Sequence, residues 1–158
     1  MTMNNNAIVV GIDGSEASLA ALRWAVSEAV ATRSCLEVVH AWHARTARDV
    51  AFGSAHELQR GSLCMVQNEV AAALVGVLNP PDVTQTSVHG TASVILLHRA
   101  ENARLLVLGS HGRTELQDLI LGRVARTCQR NARCPIVIVD RNGTGTVITS
   151  AATAAAGI

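Results

Sequence analysis

Five short apolar runs punctuate the chain, and between most of them hydrophobic residues recur at helical spacing. Residues 7–12, AIVVGI, form a β-branched run that stops at DGS, which reads as a buried strand and a turn. Ser15 is placed to cap the helix that follows, with Glu16 in its first turn favouring the helix dipole. Leu19, Leu22, Val26, Ala29 and Val30 return at intervals of three and four and mark one apolar face of that helix. Trp24 falls off the stripe and is expected to pack sideways, on a neighbouring helix or a partner. Residues 35–42, CLEVVHAW, are a second strand, and 43–54, which lack a period, read as a loop. Leu63, Val66, Val70, Ala73, Leu74 and Val77 place a helix over about 55–78, stopped by Pro80 and Pro81. VTQTSV, 83–88, alternates apolar and polar and suits a less buried strand near a sheet edge, broken by Gly90. A short helix over 92–103, a strand over 104–109, a helix from about Gly122 to Asn131 and a strand over 135–139 complete the order. The proline that leads the last strand suits an edge.

Alternating strands and helices of these lengths predict an α/β fold: a five-stranded parallel sheet sandwiched by four helices and doubly wound. The expected domain is 7–140, preceded by a disordered N-terminus over 1–6. The tail, 141–158, is rich in Gly, Ala, Ser and Thr and is expected to be mobile, though its TVIT stretch could pair locally. In such sheets ligands bind beyond the carboxyl ends of the strands. Gly11, Asp13 and Gly14 gather on that rim with Ala41, Trp42, Val88, His89, Gly90, Gly109, Ser110, His111 and Gly112.

Composition narrows the classes of function. With 49% hydrophobic and 16% charged residues the chain is globular rather than disordered. A formal net charge of +1 argues against a general nucleic-acid binder or a polybasic membrane binder. Trp24, Trp42 and Phe52 are the only aromatic residues of the Phe, Trp and Tyr set, so stacking platforms for single strands are lacking. No apolar run approaches the roughly 20 residues that cross a bilayer. The opening MTMNNNAIVVG lacks a basic n-region and an apolar core, so the expected location is the cytoplasm. Cys35, Cys64, Cys128 and Cys134 have neither CxxC nor zinc spacing and read as reduced thiols.

The stretch LGSHGRTELQDLILGRVA carries the candidate chemistry. Gly109 and Gly112 let backbone N–H groups approach an anion without a Cβ in the way. Gly122 opens a helix whose first N–H groups carry partial positive charge. Together they could hold a phosphate chain, with Asp13 across the rim accepting bonds from ribose hydroxyls or an adenine amino group. The structural alternative is that the glycines only make turns and a helix start. There is no GxxxxGK[ST], and no GxGxxG after the first strand. His111, between the glycines, is a candidate phosphate or ribose contact, or else a surface loop residue. His40 reads as a structural histidine. No nucleophile elbow, paired acid and base or metal triad stands out, so the expectation is a binding protein rather than an enzyme, with weak ATPase activity left open.

IVVGIDGS, AALRWA, LEVVHAW, Gly90 and LVLGSHGR…LGRVA…CPIVIV together resemble the universal stress protein family over about residues 6–140. The resemblance implies a five-stranded parallel sandwich and a homodimer through the last strand, here 135–139. A subset of the family holds ATP through G-x2-G-x9-G-[ST], often with a divalent ion such as Mg2+ on the phosphates. Gly109, Gly112 and Gly122 match the glycines; Gly11, Asp13, Ala41, Val88, Gly90 and Val124 fall at nucleotide-contacting positions. The hydroxyl position departs, being Arg123, and a second hydroxyl two residues on is Ala125. Arg123 opposes the helix dipole, yet with Arg113 it could make a doubly cationic phosphate pocket. Otherwise it pairs with Glu115 or Asp118 and closes the cradle. The family reading is therefore a stress-response regulator holding ATP or another adenine nucleotide, a shorter phosphate chain such as AMP or a cyclic nucleotide suiting this chain better than a full-motif member. The alternative is a dimeric stress protein that acts by protein–protein contact.

Overall fold

The computed structural model describes residues 6–43, 53–110 and 121–150. In chain order the elements are β1 (Ala7–Gly11), α1 (Glu16–Thr32), β2 (Cys35–Trp42), α2 (Ser54–Leu74), β3 (Val83–His89), α3 (Ala92–Arg99), β4 (Leu105–Gly109), α4 (Arg123–Asn131), β5 (Ile136–Val139) and β6 (Gly145–Ile148). Local chemistry sets several boundaries. Ser15 caps α1, its Oγ accepting from the Ser18 N–H at 3.2 Å, and Arg33 ends the helix in the left-handed region at φ 54°. The helix from 54 stops at Leu74, short of 78, because Val75 turns to ψ 124°; Val77 still packs on the core. The next helix ends at Arg99 rather than 103.

The sheet order is β3-β2-β1-β4-β5-β6. The first five strands are parallel, and β6 runs antiparallel to β5. Ile8 lies opposite Leu36 on one side and Leu105 on the other. Successive side chains point to opposite faces, so each strand feeds two cores. Ile8, Val10, Leu36, Val38, Val107 and Val137 pack under α1 and α2 with Leu22, Val26, Val66 and Val70. Val9, Val39, Leu106, Leu108, Ile136 and Ile138 pack under α3 and α4 with Leu96, Ala125 and Cys128. This two-sided burial explains the unbroken apolar runs at β1, β4 and β5. His40 is structural, as its setting suggested. Its Nδ1 lies 2.6 Å from Ser62 Oγ, which lies 2.7 Å from Ser87 Oγ, tying β2 to α2 and β3.

Two expectations change at the end of the chain. The sheet has six strands, not five, because Gly145–Ile148 adds to β5. A tight turn makes this possible. Asp140 Oδ1 accepts from the Asn142 and Thr144 N–H groups at 2.9 Å each, and Gly143 takes φ +85°, which glycine adopts without strain. Trp24 holds the strand from one face: a Cβ on Gly145 would lie 2.6 Å from its indole Nε1. Ile148 packs into the second core, and Ser150 is fully buried, its hydroxyl donating to the Ala132 carbonyl. The expected mobile tail therefore contains an ordered strand over 145–148. Strand 136–139 is also not an edge: all four residues are buried between β4 and β6. A homodimer paired through 135–139 would need β6 to leave.

Candidate functional site

The strand order reverses between β1 and β4, which is where an open parallel sheet leaves a crevice at its carboxyl rim. A cavity of about 230 Å³ sits there. Its walls come from six of the elements that end or begin at this rim. Gly11, Ile12 and Asp13 follow β1, Val39 and Ala41 come from β2, and Leu108 and Gly109 end β4. Ser18 of α1, Ala92 and Leu96 of α3, and Gly122 to Ala125 at the start of α4 close it.

Of the twelve residues proposed from sequence, Gly11, Asp13, Ala41, Gly109, Gly122, Arg123 and Val124 line this one cavity. Val88 and Gly90 do not line it. Val88 pairs in register with Ala41, and the Gly90 N–H donates to the Trp42 carbonyl at 2.9 Å, so both sit on the β2–β3 side of the rim. Gly90 takes φ +145°, a conformation that favours glycine. His111, Gly112 and Arg113 lie outside the described residues. Sequence reasoning missed the apolar floor of Val39, Leu96 and Leu108. Val39 was legible as the residue two before Ala41, on the same face of the strand, and Ala92 and Leu96 as an i, i+4 pair on α3.

The glycines have physical reasons of their own. A Cβ on Gly109 would stand 2.8 Å from the carbonyl carbon of Ala17 and 3.0 Å from the Ser18 nitrogen. Gly109 thus lets the start of α1 approach β4 backbone to backbone. A Cβ on Gly11 would meet Leu96 and Leu108 at 2.9 Å and fill part of the cavity floor. Gly122 is the N-cap of α4 and supplies no side-chain cap, so the first turn faces the cavity without an oxygen acceptor of its own.

Asp13 is partly committed to the loop. Its Oδ1 accepts from the Ser15 N–H at 2.9 Å, and its own N–H donates to Ser18 Oγ at 3.3 Å. Its charge is also felt by Glu69 of α2. Burial, and then Asp13, push the Glu69 carboxyl above its ordinary value, and Glu69 Oε2 is buried with no hydrogen-bond partner among the described residues. Arg123 is exposed and lines the same cavity as Asp13. An apolar floor, a carboxylate and an uncapped helix start beside a guanidinium suit a flat apolar ring that carries a polar, anionic end.

The family model described as the universal stress protein family matches residues 4–140. The chain belongs to the universal stress protein family. Universal stress protein Rv2623 of Mycobacterium tuberculosis is 30% identical over 142 residues, which cover 84% of this chain and 46% of that protein. The chain thus spans about half the length of the curated relatives it matches. Universal stress protein UspA from Lactobacillus plantarum shares the fold at a TM-score of 0.73 and 16% identity, over 87% of this chain and 99% of its own. A universal stress protein solved in complex with cAMP is 25% identical at a TM-score of 0.59, over 86% of this chain and 97% of its own.

Proposed function

We propose that this universal stress protein binds an adenine nucleotide at the carboxyl rim and acts as a stress-response regulator rather than an enzyme. The observation that carries the reading is convergence. Seven residues chosen from distant parts of the sequence, Asp13 and Arg123 among them, line one cavity. The base would lie on Val39, Ala41 and Leu108. The ribose would lie near Asp13, and phosphate at the first turn of α4 beside the Arg123 guanidinium. Arg123 and Ala125 stand where hydroxyls would contact a longer phosphate chain, which favours AMP or a cyclic nucleotide over ATP with Mg2+. The cAMP complex of a relative supports that choice. The reading carries a cytoplasmic location with it, which four cysteines outside any disulfide favour.

Calorimetric titration with ATP, AMP and cyclic AMP, with and without magnesium, tests it, with Arg123→Ser alongside. Binding of AMP or cyclic AMP by the wild type, weakened in the variant, is the expected result. Binding by the variant alone would mean that Arg123 closes the cradle. No binding by either would leave the second reading, an interaction module without nucleotide. The packing need for Gly109 specifically favours that reading, since it gives the first glycine a purpose that requires no ligand.

A further inference from the structure

Helix α4 is amphipathic in an unusual way. Its inward residues are Ala125 and Cys128, both buried. Its exposed face presents Arg123, Arg126 and Arg130, at spacings of three and four, a row about 10 Å long. Like charges so spaced repel one another, and cations in the first turn oppose the helix dipole. No carboxylate among the described residues pairs with any of the three. Three carboxylates among the described residues are already engaged elsewhere. Glu37 holds Arg99 at 3.0 Å and Glu101 holds Arg133 at 3.1 Å. Asp140 is taken up by its own turn.

The row is part of a wider asymmetry. Residues 1–98 carry eight Asp and Glu against five Arg, whereas residues 99–158 carry four against eight Arg. Every cationic side chain of the Lys and Arg pair is an arginine, the residue that grips carboxylates with two parallel bonds. A nucleic acid would satisfy the charge but not the setting. The chain's formal net charge of only +1 is low for a phosphate-backbone binder, and no aromatic residue lies on α4 to stack a base. A short acidic segment matches both the length and the charge.

We propose that the outer face of α4 docks an acidic segment of a partner protein, its carboxylates paired with Arg126 and Arg130 and, where the helix lines the cavity, with Arg123. The test uses the full chain and a fluorescein-labelled helical peptide with glutamates at alternating spacings of three and four residues. The matching glutamine peptide and a short DNA duplex serve as competitors. Anisotropy should report binding of the glutamate peptide that weakens as salt rises from about 50 to 200 mM. The double variant Arg126→Gln, Arg130→Gln should weaken it about tenfold, the loss of two charge-assisted pairs. Removing as many charges from the other side, with Arg23→Gln and Arg60→Gln, should leave it unchanged. The reversal Arg126→Glu, Arg130→Glu should bind a lysine peptide of the same spacing. Nucleotide titration should be the same in wild type and in the double glutamine variant, which separates this surface from the cavity. The proposal falls if the glutamate peptide does not bind or if the glutamine peptide binds equally. It also falls if both double variants lose the same affinity, or if the duplex binds more tightly than the peptide.

Discussion

Glu69 sits in an environment that a carboxylate disfavours. Its carboxyl is desolvated on α2, feels the charge of Asp13, and leaves Oε2 without a hydrogen-bond partner among the described residues. The fold therefore favours its neutral form. In the folded chain it keeps its proton at a pH where the unfolded chain has released it. Its contribution is fully present below the ordinary carboxyl range and is lost as pH rises through the raised value. Glu69→Gln keeps the shape and removes the charge. The variant should match the wild type in Tm near about pH 4 and exceed it increasingly toward pH 7. Parallel Tm curves across that range would refute the sign. Nothing in the sequence marked Glu69, because its exposure and its distance from Asp13 depend on how α2 lies against α1. Asp13, Gly11 and Ala41 were legible, because a strand end fixes its own place on a rim.

At the scale of elements, most of the fold could be read from periodicity. Strands 35–42 and 83–89 and the capped helix from Glu16 lie where the pattern put them, within a residue or so. What periodicity could not show is why β4 ends in glycine. Gly109 is where α1 and β4 meet backbone to backbone, with Ala17 within 2.8 Å of any added Cβ. Gly109→Ala should therefore destabilise the protein by about 1–3 kcal/mol, the usual range for overpacking. Urea unfolding without ligand should show the loss. An unchanged midpoint would mean that α1 shifts at little cost. The sixth strand was hidden for a related reason. Thr146, Val147 and Ile148 are β-branched and hinted at local pairing, but the partner strand is set by contacts from Trp24 and Ala132, which are remote in sequence.

At the scale of the whole molecule, β6 decides what the sheet offers its surroundings. It covers a strand of four buried apolar residues, and its own edge is uncharged, with Val147 66% exposed. A chain ending at Asp140 would leave β5 with open N–H and C=O groups along an apolar edge. Such a chain should self-associate in light scattering at concentrations where the full chain does not. A full chain already paired through residues 136–139 would show that β6 gives way to a second copy. The contact that secures β6 also has a spectroscopic consequence. The two tryptophans report on separate regions, Trp24 against Gly145 under β6 and Trp42 edge-on to His89 at the rim, with ring centroids 4.9 Å apart. With Trp42 replaced by Phe, the remaining indole emission would follow the tail as it docks and leaves. With Trp24 replaced, it would follow the rim. The molecule thus carries its own two-colour-like readout, one lamp at the covered edge and one at the mouth, each addressable by removing the other.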